Sequence, residues 1–179
     1  MRKVVLTFGL ISGGIIAIFL LIHMHLWNKG LLDFDTGELV GYSSMIIALS
    51  MVFFGIKSYR DNHQSGSITF LKGLQVGLLI SLVASLVYAG TWEVYYQTNE
   101  ELKNSFMDKY TDYCITKMKR EGASPTEVEA KLKELTTMKE MYRNPLLRFG
   151  ITVLELFPVG VLISLISAAI LRKRTVLPA

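Results

Sequence analysis

Residues 71–95 read LKGLQVGLLISLVASLVYAGTWEVY. From Gly73 to Trp92 no residue carries a charge. A helix needs about 20 mostly apolar residues to cross a hydrocarbon core of about 30 Å. This stretch therefore predicts a membrane-spanning helix. It also repeats a small residue every fourth position, at Gly73, Gly77, Ser81, Ser85 and Ala89. Such a face lets helix backbones approach closely, so this helix is expected to be the central packing element.

Three further windows are long and mostly apolar, the last carrying a carboxylate at Glu155, giving spans at about 4–26, 39–56, 71–95 and 146–171. The first is too long for a signal-peptide core and ends in His23-Met24-His25-Leu26-Trp27 without a small-residue cleavage site. The first span carries Gly9, Gly13 and Ala17, and the fourth Gly160, Ser164 and Ala168. These faces have two readings, packing inside one bundle or contact between copies of the chain.

The whole chain is 51% hydrophobic and 19% charged, with a mean hydropathy of +0.38. The charge is concentrated between the apolar windows. That pattern excludes a disordered chain, a disulfide-stapled miniprotein and a soluble enzyme with a large core. The expected fold is all-α: one membrane domain over residues 1–179, a four-helix bundle with an extracytoplasmic helical hairpin.

Charge sets the orientation. One side holds Arg2, Lys3, Lys57, Arg60, Lys72, Arg172, Lys173 and Arg174 against Asp61 alone. The other holds Lys29 against Asp33, Asp35 and Glu38, and a long loop of balanced charge. Both termini are expected in the cytoplasm of a bacterium, with the spans in its inner membrane. Trp27, Tyr42, Trp92, Tyr95 and Tyr96 fall at the outer boundary, where amphipathic rings gather. The net charge of +4 is then membrane anchoring, and no nucleic-acid partner is expected. Membrane lipids are the expected contacts of the inner side, with Lys57 and Arg60 on adjacent turns facing lipid phosphates.

Residues 97–144 form the one long polar segment. Leu102, Phe106, Tyr110 and Tyr113 recur at helical spacing, as do Val128, Leu132, Leu135, Met138 and Tyr142. Between them, Gly122 suits a helix end, while Ser124, Pro125 and Glu127 spell an N-cap, a first-turn proline and a capping box. The prediction is two antiparallel helices reaching on the order of 30 Å. The hairpin either projects or lays its apolar stripes on the outer leaflet, and it either buries those stripes on itself or docks a partner. Cys114 is the sole cysteine and reads as a buried hydrophobe.

Ionisable residues inside spans deserve a functional hypothesis. Glu155 is the deepest, and Arg148 lies two turns before it. With Glu93, His23 and His25 these residues fall in the outer half of the bundle as a candidate buried polar cluster. Arg148 would pair with Glu155 or Glu93. Pro158 frees the carbonyl of Leu154 beside Glu155. His23 and His25 point roughly 200° apart on a helix, which is poor geometry for one metal. No metal, cofactor or catalytic motif is expected, and the chain does not read as an enzyme.

One resemblance adds to this reading. GIKSYRD at Gly55 to Asp61, Gly66, Ile68-Thr69-Phe70, Tyr88, Trp92-Glu93-Val94-Tyr95 and Pro158-Val159-Gly160 occur in that order. The chain so resembles the four-span membrane proteins grouped as domain of unknown function 4199, typical of Bacteroidota. The resemblance implies an inner-membrane location and no established activity. The expected function is a non-enzymatic module that binds a membrane-protein partner or self-assembles as a homo-oligomer. Its rival is a transport or proton-coupled component using Glu155, Arg148 and Glu93.

Overall fold

A computed structural model describes residues 1–173. Arg174, counted above among the cytoplasmic basic residues, lies outside the described residues. The order of elements is α1 Arg2–Asn28, α2 Phe34–His63, α3 Phe70–Thr98, α4 Glu100–Arg120, α5 Pro125–Tyr142 and α6 Pro145–Leu171. Helices α1, α2, α3 and α6 are long and apolar enough to cross a membrane. The fold is all-α. Among the described residues the one isolated β-bridge joins Ile68 to Lys173.

Local chemistry places the helix ends. Gly30 takes φ +69°, and the next amide, of Leu31, donates back to the Leu26 carbonyl, which closes α1. Asp33 then caps α2 by accepting the Thr36 amide at 2.8 Å. Asn99 caps α4 through the Leu102 amide, and Asn144 caps α6 through the Leu146 amide with Pro145 in the first turn. The hairpin turn follows its sequence signature. Gly122 has φ +86°, and Ser124 and Glu127 form a reciprocal capping box.

Helix α2 extends past the apolar window, so Lys57 to Asp61 is helical. Nothing in that segment breaks a helix, and Tyr59 remains buried. The chain turns only where Ser65 and Gly66 adopt positive φ.

Two compact units divide the described residues: Met1 to Gly90 with Thr152 to Lys173, and Thr91 to Ile151. The first unit is the bundle. Its interior is built on α3, whose Val76, Ile80, Ala84 and Ala89 are fully buried together with Leu49, Val52 and Ile56 of α2 and Leu156 of α6. A Cβ added at Gly9 or Gly13 of α1 would come within 2.6 Å of Val83 or Val87 of α3. One at Gly77 would meet Ser164 at 2.8 Å, one at Gly160 would meet Ser81 at 2.6 Å, and one at Gly73 would touch Ala168 at 3.3 Å. The small-residue faces thus pack within the bundle, and α3 receives both α1 and α6.

Buried serines join the same helices. Ser12 donates to the Ala48 carbonyl at 2.7 Å, Ser81 and Ser164 share a hydrogen bond at 3.3 Å, and Ser85 and Ser164 bond back to carbonyls of their own helices. Each hydroxyl is thereby satisfied in a setting without water.

The second unit comprises α4, α5 and the adjoining ends of α3 and α6. Its deeply buried residues are few: Trp92, Tyr96, Met107, Leu135, Tyr142 and Arg148. An ion pair between Lys139 and Asp108 links α5 to α4.

Candidate functional site

The most organised polar site lies in the second unit, around Arg148 in the first turn of α6. Its guanidinium is 3% exposed as a residue and is engaged on three of its nitrogens. Nε and Nη2 donate to the two carboxylate oxygens of Glu93 at 2.8 and 2.6 Å. Nη1 donates to the Tyr142 carbonyl at 2.7 Å. This is the two-point geometry that a planar guanidinium shares with a carboxylate.

Aromatic rings enclose the pair. The guanidinium carbon lies 4.2 Å from the Tyr96 ring centre and 5.8 Å from that of Tyr142, so ring faces replace water on the cation. Trp92 donates its indole N–H to the Tyr142 hydroxyl at 2.8 Å. Phe106 of α4 packs against both Trp92 and Tyr142. Gln97 donates to Glu93 from the next turn of α3 at 2.9 Å. Helices α3 and α5 thus meet the α6 cation directly, and α4 packs on its aromatic enclosure through Phe106.

Sequence reasoning anticipated Arg148 and Glu93 but assigned Trp92 and Tyr96 to the membrane boundary. Both rings are buried in protein. The signal for this was present: Trp92 and Tyr96 are one turn apart on α3, and Phe106 and Tyr142 lie on the apolar stripes of the hairpin. What the sequence lacked was the pairing of those stripes with the end of α3.

The other candidate residues fall elsewhere. Glu155, His23 and His25 belong to the first unit, while Glu93 and Arg148 belong to the second. Only Arg148 of the five is buried; Glu93 and His23 are half-buried, and His25 and Glu155 are exposed. Glu155 receives one long hydrogen bond, from the Tyr88 hydroxyl at 3.5 Å. His23 lies over Gly37 of α2 and stacks on Trp27. No group of three or more His, Cys, Asp or Glu side chains is placed to hold a metal ion among the described residues.

At the C-terminal end of α6, Arg60 pairs with Asp61 at 2.7 Å and donates to the Leu171 carbonyl at 3.4 Å. It closes the end of α6, beside the Ile68–Lys173 bridge. Lys57 stays exposed on a shallow groove lined also by Phe8, Met51, Phe54, Ser58 and Asn62. Of the two cations expected at lipid phosphates, Lys57 is the one left open. Cys114 is a half-buried free thiol.

A family model described as a protein of unknown function, DUF4199, matches residues 7–173. No curated protein and no solved structure matches the chain.

Proposed function

The chain belongs to the DUF4199 family, which brings no assigned activity, and from its geometry we propose a non-catalytic membrane module that presents the α4–α5 hairpin to a partner protein. It is a multi-pass membrane protein by its four apolar helices. We assign it to the bacterial inner membrane, with both termini cytoplasmic and the hairpin outside. The excess of Lys and Arg at the ends of α1, α2, α3 and α6 on one side supports that orientation.

One observation carries the reading. The Arg148–Glu93 pair and its aromatic enclosure join α4 and α5 to the ends of α3 and α6 within the second unit. An active site would keep donors open toward a substrate. Here the guanidinium is spent on protein groups, which is the signature of a fixed support. The hairpin beyond it has little core, with Leu132 and Met141 exposed and Tyr110, Tyr113 and Met118 half-buried. It carries nine acidic and nine basic residues from 97 to 144. The partner is therefore recognised by apolar and aromatic contact rather than by net charge.

The test is photo-crosslinking in the native membrane from residues introduced at Leu132, Met141 and, as a bundle control, Ile46. A discrete adduct from the two hairpin positions that is lost in Glu93→Ala supports the reading. Absence of hairpin adducts, or adducts indifferent to Glu93→Ala, overturns it.

A second reading, a transport or proton-coupled component, draws on Glu155 near the middle of α6. It predicts a proton-linked flux in vesicles that Glu155→Gln abolishes. The engagement of Arg148 and Glu93 with each other argues against their service in such a relay.

A further inference from the structure

On α2, Met51, Phe54, Ser58 and Asp61 recur every three or four residues and so share one face of the helix. That face borders the shallow groove beside Phe8 of α1, which has a volume of about 600 Å³. Sites for small organic ligands run to about 300–1,000 Å³. Gly55 shapes one wall. A Cβ added there would lie 3.1 Å from Cβ of Phe8, so the bare backbone lets Phe8 settle against α2. The whole feature lies in the first compact unit.

The groove changes character along its length. One end is walled by Phe8, Met51 and Phe54, and Phe54 is 48% exposed. The other holds Lys57, Ser58, Asp61 and Asn62. The change falls where the apolar window of α2 closes, at Ile56. From Met51 to Asn62 the helix advances about 16 Å at 1.5 Å per residue. The polar end has one cation without a bonded partner. Lys57 is exposed and makes no hydrogen bond or ion pair among the described residues. Asp61 is engaged by Arg60 at 2.7 Å, and Arg60 also reaches the Leu171 carbonyl of α6. Asn62 donates to the Ser58 hydroxyl at 3.3 Å. That hydroxyl donates to no group among the described residues, so its own proton is available to a ligand.

We propose that this groove binds one anionic phospholipid, with the Lys57 ammonium and the Ser58 hydroxyl on its phosphate and the first part of an acyl chain along Phe54, Met51 and Phe8. The order of the surfaces favours a lipid. A phospholipid presents phosphate and then hydrocarbon along the membrane normal, and the groove turns from polar to apolar in the same sense, at the level where α2 enters the hydrocarbon core. The charge favours an anionic headgroup. A zwitterionic one would bring its own ammonium close to Lys57. Asp61, the acid that could offset it, is already paired with Arg60.

The site is independent of the hairpin reading, since it needs no other protein. The test uses the full chain in micelles of an uncharged detergent, titrated with phosphatidylglycerol or phosphatidylcholine of the same chain length. Native mass spectrometry counts the bound lipid. Phosphatidylglycerol is expected to bind about fivefold tighter, the effect of one cation beside an anionic headgroup. Lys57→Gln should erase that preference, and Lys57→Arg, which keeps the charge, should retain it. Lys72→Gln removes the same charge from the start of α3, where Lys72 is bonded to Gln75, and should leave the preference unchanged. Phe54→Ser should weaken both lipids and keep their ratio. Equal affinity for the two lipids in the unaltered chain overturns the proposal. So does an equal loss in Lys57→Gln and Lys72→Gln, which would mark diffuse surface charge. Displacement of phosphatidylglycerol by inorganic phosphate, or indifference to Phe54→Ser, overturns it as well, because the groove would then hold a free anion and no acyl chain.

Discussion

Arg148 and Glu93 stand 55 residues apart in the chain and meet through two parallel hydrogen bonds of 2.6 and 2.8 Å. Their contact is specific because both partners are anchored independently. Arg148 also holds the last carbonyl of α5, and Glu93 also receives Gln97. Removing one member of a buried pair leaves the other charge uncompensated, a change of about 3 kcal/mol. Glu93→Gln should therefore speed amide exchange throughout α4 and α5. Arg148→Lys should do the same, because an ammonium cannot reproduce the two-point contact and the Tyr142 bond together. Hydrogen exchange in lipid nanodiscs reads both variants. Unchanged protection of the hairpin would show that the pair does not support it.

The indole of Trp92 and the hydroxyl of Tyr142 form a second test of the same site. Both residues are buried, and their bond is 2.8 Å long. Tyr142→Phe strands the indole N–H, and an unsatisfied buried donor costs about 1–3 kcal/mol. Adding Trp92→Phe removes that orphan but also removes ring contacts to Phe106 and Tyr96. A double-mutant cycle on thermal unfolding should thus give clear coupling, with the double variant less destabilised than the sum of the singles. Strict additivity would mean that the hydrogen bond contributes nothing.

The fold was legible where a single rule dominated. Long, mostly apolar windows marked the four long helices, and Gly122, Ser124, Pro125 and Glu127 marked the hairpin turn. The site was legible only by residue type. Arg148 and Glu93 stood out as charges in spans, but Glu155 stood out for the same reason and lies on the surface. Hydropathy measures how misplaced a charge is along the chain. It does not say which way the helix is turned. Trp92 and Tyr96 failed for a related reason: an aromatic at a span end serves the lipid boundary or a protein core equally well, and only the partner stripe on the hairpin decides.

The capping box makes the start of α5 sensitive to pH. Glu127 accepts hydrogen bonds from the Ser124 amide and hydroxyl, both at 2.7 Å, and these hold its carboxyl below the ordinary glutamate range. A lowered folded-state value means that the charged form is favoured on folding. The contribution is therefore complete above the ordinary glutamate range and fades as pH falls through the lowered value. Amide exchange at Val128 and Glu129, corrected for intrinsic rates, should rise over that acidic window in the native protein. Glu127→Gln should flatten the dependence, since an amide keeps an acceptor without titrating. A pH profile identical in the two proteins would rule out the box as its cause.

The glycines offer a comparison within one helix type. A methyl group added at Gly77 would lie 2.8 Å from both Cβ and Oγ of Ser164, whereas one added at Gly14 meets nothing within 4 Å. Overpacking a tight contact costs about 1–3 kcal/mol, while alanine in place of an unhindered helical glycine gains up to about 1 kcal/mol. Gly77→Ala should therefore lower the denaturation midpoint in a mixed-micelle titration, and Gly14→Ala should leave it level or raise it. Ser164→Gly on its own loses the hydrogen bonds to Gly160 and Ser81, so it too should lower the midpoint. Combined with Gly77→Ala, it removes the atoms that the new methyl group strikes. The pair should then be more stable than the sum of its singles, with the sign of coupling that a direct clash between α3 and α6 demands. If the two changes simply add, the glycine face of α3 is not seated on Ser164, and the packing assigned to these two helices is wrong.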